Sequence, residues 1–127
     1  MSPPFGILKY LYVGVGDFEK ALAYYRDVLG ARVVWNFHEF GAHVAAVEVS
    51  GTPPLTLLAD HRPAPSTLPL YIVEDLKATV KDLKKRGWTK KEGPFGIPDG
   101  DCYTFMDPSG NEIGFFENTR PDALLRD

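Results

Sequence analysis

Two tyrosines, three histidines, one strand glutamate and one cysteine are the side chains best suited to chemistry in this sequence. Tyr10 and Tyr12 alternate with Leu11 and Val13, so both rings fall on one face of an extended segment. Such a pair can stack on a flat molecule and donate phenolic hydrogen bonds; alternatively, the rings plug a small cavity. Glu48 sits between Val47 and Val49. With both valines facing a helix, its carboxylate turns to the other face of the strand. There it can accept a hydrogen bond from a ligand, or act as a base if its pKa is raised. A solvated or hydrogen-bonded strand residue is the commoner outcome. Glu112 has the same standing, and Glu117 falls on the opposite parity. His38 and His43 flank a turn and His61 lies in a proline-bearing stretch, too dispersed to meet on one metal within the chain. Cys102 has no helix N-terminus or cationic neighbour to lower its pKa, so it reads as an inert thiol. Gly14-Val15-Gly16-Asp17 lacks the lysine of a P-loop and the third glycine of a dinucleotide site.

The tyrosines open a strand–helix unit. Leu11, Val13 and Val15 point one way and Tyr10, Tyr12 and Gly14 the other, which is strand periodicity. Asp17 can cap a helix by accepting its orphan backbone N–H groups. Phe18, Ala21, Leu22, Tyr25, Val28 and Leu29 then form one apolar stripe at helical spacing, and Gly30 ends the helix. Adding 58 to these numbers turns Asp17 into Asp75, Leu22 into Val80 and Tyr25 into Leu83, with Gly87 closing the second helix. The same offset carries Leu55–Leu58 onto Ile113–Phe116. A constant offset at both ends argues for a duplicated unit.

The pattern predicts one domain over residues 1–127. Module one spans about residues 7–58: a strand over Ile7–Val15, a helix over Phe18–Leu29, and strands over Arg32–His38, Ala42–Val49 and Leu55–Leu58. Pro63 and Pro65 mark a linker over 59–67. Module two spans about 68–117: a strand over Leu68–Val73, a helix over Leu76–Arg86 and a short strand over Trp88–Lys91. A long loop over Glu92–Gly100 comes next, then strands over Cys102–Met106 and Glu112–Glu117. Met1–Gly6 reads as a loose leader. In the tail, 118–127, Ala123, Leu124 and Leu125 suggest one helical turn.

Composition narrows the function classes. With 44% hydrophobic residues, 127 residues can bury one core. A net charge of -3 offers no broad attraction to nucleic acid or an anionic membrane, and Lys81–Lys91 reads as a solvated face. No apolar run is long enough to span a membrane and no signal peptide is visible. A lone cysteine excludes an internal disulfide, which fits a reducing, cytoplasmic setting.

The strand, the capping aspartate, the helix reading Ala-x-x-Tyr-Tyr-Arg-Asp-Val-Leu-Gly and the later Asp107-Pro108-Ser109-Gly110-Asn111 resemble the vicinal oxygen chelate superfamily. This is the group of glyoxalase I, bleomycin-resistance proteins and extradiol dioxygenases. The resemblance implies an α+β fold of two βαβββ modules forming an open, cup-shaped mixed sheet with helices outside, and a homodimer. It also implies four inward metal-ligand positions, here Tyr10, Thr56, Leu68 and Gly114, none a usual ligand for a divalent cation. No metal or other cofactor is therefore expected. The cup would be lined by Tyr10, Tyr12, Glu48, Thr56, Leu68, Leu70, Gly114 and Phe116, with Gly114 leaving space and Leu68 giving an apolar wall. The expected activity is metal-free binding of a small organic molecule, planar or aromatic, as in the bleomycin-resistance type. One alternative is a lyase, isomerase or dioxygenase-like enzyme that uses Glu48 and the tyrosines or a relocated metal. Another is a cup filled by its own side chains.

Overall fold

The structure, a computed structural model, describes residues 3–39, 41–88, 92–97 and 100–118. By contacts the chain divides into two units. One is Lys9–Pro69; the other takes Leu70 onward together with the segment before Lys9.

The first unit is built from β1 (Leu8–Gly14), α1 (Phe18–Ala23), β2 (Arg32–Glu39), β3 (Ala42–Glu48) and β4 (Leu55–Ala59). Its strands run in the order β2-β3-β4-β1, antiparallel except for the parallel pair β4-β1. Asp17 caps α1 through Lys20 N at 3.1 Å. Phe18 and Leu22 bury against Val15, Ala31, Ala45, Val47 and Leu58 on one sheet face. The helix is shorter than its apolar stripe implies. Tyr24–Val28 form a π-helical turn, closed by Leu29 N on the Tyr24 carbonyl. One extra residue in a turn rotates the residues after it by about 100° off the α-helical stripe. Tyr25 stays on the core, whereas Val28 and Leu29 are exposed. Val49, read from sequence as facing the helix, lies beyond the end of β3 and is exposed as well.

The second unit has β5 (Ser66–Val73), α2 (Leu76–Lys85), β6 (Glu92–Ile97), β7 (Gly100–Met106) and β8 (Glu112–Asn118), ordered β5-β8-β7-β6, with β5-β8 the parallel pair. Asp75 caps α2 through Ala78 N at 3.0 Å. Val80 and Leu83 pack on Val73 and Phe115, joined by Trp88, Tyr103 and Phe105. Both helices are followed by a left-handed glycine, Gly30 at φ 72° and Gly87 at φ 97°, as helix ends of this kind require. The expected loop over Glu92–Gly100 contains a strand instead. β6 pairs with β7, with an irregular register between Glu92 and Phe95. Pro94, which lacks an N–H, falls inside that irregularity, where no ladder bond is needed. The expected leader is also ordered from Pro3: Gly6 N donates to Ile72 O at 2.8 Å, and Phe5 stacks on Tyr71 and Phe115. Of the short strand expected over Trp88–Lys91, residues 89–91 lie outside the described residues, as do tail residues Ala123, Leu124 and Leu125.

The two βαβββ units thus share one plan, with one slip. Tyr10 pairs with Leu55, but its counterpart Leu68 lies one register step away from the equivalent pairing, since Leu70 pairs with Gly114. The second unit is one residue shorter between its cap and its last strand. Leu58 therefore corresponds to Phe115, each fully buried on the helix side, and Leu57 to Gly114.

Candidate functional site

The sheet face turned away from α1 in the first unit carries most of the aromatic side chains suited to binding. A β-bulge creates it. Val33 pairs with Val47 on the helix side, but the register shifts before Trp35, which pairs with Ala46. The extra residue turns Trp35 and Phe37 to the opposite face. Trp35, Ala46, Leu57 and Tyr12 then follow one another across β2, β3, β4 and β1. Phe37, Val44, Ala59 and Gly14 make the next row. Three strand spacings, about 14 Å, separate Trp35 and Tyr12 along the row. Ala46, Leu57 and Ala59 in the middle are buried, as is Tyr10, at 5% exposure. Tyr12, Trp35 and Phe37 at the margins are half-buried. Lys9 Nζ lies 5.9 Å from the centre of the Tyr10 ring.

Not every residue read from the sequence stands where it was expected. Thr56 pairs with Val47 and Leu11 and shares the helix-side face; Leu57 holds the place on the other face. Glu48 does turn away from the helix, but Arg32 binds it at both oxygens, at 3.2 and 3.3 Å. This hydrogen-bonded ion pair raises the Arg32 pKa above the ordinary arginine value. At the surface it adds little to stability, but it leaves neither oxygen of Glu48 poised as a base. In the second unit Leu70, Gly114 and Phe116 do share the face away from α2; Leu68, two residues before Leu70 on β5, has the same parity, and all four are buried. Gly114 leaves no space. A Cβ there would sit 2.7 Å from Leu70 Cδ1 and 3.1 Å from the Tyr103 carbonyl oxygen. The Leu70 side chain lies over Gly114, so a larger residue there would have to displace it. Cys102 is buried beside Phe116 in the β7-β8 ladder.

Of the four metal-ligand positions that the resemblance implies, with Leu57 now in the place of Thr56, one carries a donor side chain. Tyr10, Leu57, Leu68 and Gly114 supply a single phenol, where a divalent cation needs several carboxylate or imidazole donors. Among the described residues, no group of three or more His, Cys, Asp and Glu side chains could hold a metal ion. Two of the three histidines do meet, however. The His38 and His43 rings stack with centroids 3.8 Å apart, and Asp60 accepts from the His43 backbone N–H at 2.9 Å and meets its Nδ1 at 2.8 Å. These bonds hold the Asp60 carboxyl below the usual carboxylate range, the backbone N–H contributing most. Burial, and then the charge of Arg62, lower the His61 pKa.

A groove of about 800 Å³ lies in the second unit between Pro3–Ile7 and α2. Three of its carboxylates are already engaged. Asp75 caps α2, Glu117 accepts the Leu76 N–H at 2.8 Å, and Asp82 pairs with Arg86 at 2.8 Å. The sequence pattern does not single out Glu117 as a second anchor of the helix start; its opposite parity is the one signal for it.

No curated protein matches the sequence. Among solved structures, methylmalonyl-CoA epimerase from Mycobacterium tuberculosis superimposes with a TM-score of 0.75 at 19% identity, covering 97% of this chain and 95% of that one. A hypothetical protein from Bacillus halodurans gives 0.70 at 13% identity, covering 87% and 93%. An antibiotic-binding protein from Streptomyces is 27% identical over 90% of this chain and 97% of that one, with a TM-score of 0.43. None of the described helices is long and apolar enough to cross a membrane. The glyoxalase/bleomycin resistance protein/dioxygenase superfamily matches residues 7–115, and this chain belongs to it.

Proposed function

We propose that the protein binds a small, flat organic molecule without a metal, at the half-exposed aromatic margin of the first unit's sheet. The bulge in β2 carries this reading. It puts Trp35 and Phe37 on the same face as Tyr12, with the aliphatic residues Ala46, Leu57, Val44 and Ala59 between them, where a helix-side register would have turned both toward the core. Aromatic walls with a few polar tips are what a planar ligand needs for stacking and orientation. The metal-free part of the reading rests on the donor set at Tyr10, Leu57, Leu68 and Gly114. The enzyme alternative is less well supported, because Arg32 holds both oxygens of its candidate base, Glu48. A second copy of the chain remains the expected partner; sedimentation at micromolar concentration showing only monomer would remove it.

Fluorescence tests the binding directly. With Trp88→Phe, Trp35 becomes the sole tryptophan. Titration with planar probes, 8-anilinonaphthalene-1-sulfonate and anthraquinone-2-sulfonate, should then quench it saturably. Tyr12→Ala should weaken binding by about threefold to tenfold, the worth of one aromatic contact. No saturable quenching by either probe, or an affinity unchanged in Tyr12→Ala, would end the proposal.

A further inference from the structure

His38 and His43 stand directly opposite each other on β2 and β3, on the helix side of the sheet and so on the face opposite Trp35 and Phe37. Both are accessible: His38 is exposed, and the His43 side chain keeps 32% of its surface. Their surroundings are unequal. His43 rests on the Phe18 ring at 5.0 Å, and its Nδ1 is taken by Asp60. Among the described residues, His38 has only the ring stack.

We infer that His38 and His43 form a cross-strand site for one borderline transition-metal ion, Cu(II) or Zn(II), with Asp60 behind His43 and water completing the shell. Three observations carry it. The strands place the two imidazoles side by side, so the chain itself supplies their proximity. Asp60 occupies Nδ1 of His43, which directs the other nitrogen, Nε2, outward as a lone-pair donor. A carboxylate behind a ligating histidine fixes its tautomer and ring orientation. Imidazole suits Cu(II) and Zn(II), and Cu(II) binds such a pair most tightly. The stacked rings lie within 21° of parallel, so their lone pairs do not yet converge. Binding requires His38 to turn out of the stack, and its exposure permits that. Phe18 and Asp60 hold His43, so His38 is the ligand that turns. Other titratable or charged groups flanking the site in sequence are Glu39, beside His38, and His61 and Arg62, beside Asp60.

Calorimetric titration of the tag-free chain with Cu(II) alone should give one equivalent bound. Electron paramagnetic resonance should show coupling to two nitrogens. His38→Ala removes an exposed side chain and should abolish the two-nitrogen signal and weaken binding at least tenfold. Asp60→Asn should weaken it by about 10–100-fold, as for other partners behind a metal ligand. His61→Ala should change nothing. Absence of saturable binding, a one-nitrogen signal, indifference to His38→Ala, or loss in His61→Ala would each overturn the assignment. Since the pair lies on the opposite face, Tyr12→Ala leaves this site intact, and the two proposals fail separately.

Discussion

Trp35 stands opposite Ala46 while Val33, two residues earlier, stands opposite Val47. Two adjacent pairs on one strand and three residues on the other mean that Val33 and Trp35 face opposite sides of the sheet. They should therefore respond differently to truncation. Val33→Ala should cost about 1 kcal/mol of stability, from lost contact with the helix-side core, and leave probe binding intact. Trp35→Ala, which removes a half-buried ring, should cost stability as well and also remove the probe site, read by the emission of 8-anilinonaphthalene-1-sulfonate. Denaturant melts and probe titrations on both variants check this; the same loss of binding in each would mean that the two side chains share a face.

Gly114 is held by packing. Gly114→Ala should destabilise by about 1–3 kcal/mol, because the new methyl must displace the fully buried Leu70 tip or press on the Tyr103 carbonyl. Gly114→Ala combined with Leu70→Val should recover part of the loss. Equal stability of wild type and Gly114→Ala in urea would show that the Leu70 side chain does not sit there.

The two caps can be compared within one molecule. Asp17→Ala and Asp75→Ala should each cost about 0.5–2 kcal/mol. Glu117 also reaches the start of α2, through Leu76 N, so Asp75→Ala should be the milder of the two. Thermal melts of the two variants decide the order.

Acid should weaken the fold through Asp60 and Asp107. The Asp107 carboxyl lies below its ordinary value, chiefly because of the Asn111 side-chain amide and then the Asn111 backbone N–H; Ser109 N also donates to it. Both groups have folded pKa values below their unfolded ones. Below the unfolded value, near pH 3.9, the unfolded chain binds more protons, and stability is lost as pH falls toward the folded value. Urea midpoints measured from about pH 6 to about pH 3 should fall less steeply in Asp60→Asn and Asp107→Asn than in wild type. Parallel curves for all three would assign the acid lability to other groups.

Much of the plan is written in contiguous residues. Tyr10–Val15 alternate, Asp17 and Asp75 each precede an apolar helical stripe, and glycines close both helices. Each of these signals is spent within one element, on bonds between residues a few positions apart, so it can be read without the rest of the chain. The Asp107–Asn111 turn is local in the same way.

What tertiary structure decided depends on pairing between distant residues. A single-residue slip in a strand moves every side chain to the other face. The second unit is one residue shorter before its last strand, so Thr56 and Gly114, matched by a constant offset, lie on opposite faces of their sheets. The bulge at Trp35 and the π-turn after Ala23 likewise shift phase inside apolar runs whose composition does not change. Phe5 joins the core of Tyr71 and Phe115 only because strands from elsewhere in the chain bring its partners to it, and His38 meets His43 only because the register of the β2-β3 hairpin sets them opposite each other. Periodicity determines which residues share an element's face; register determines what that face meets, and register is settled only when the strands pair.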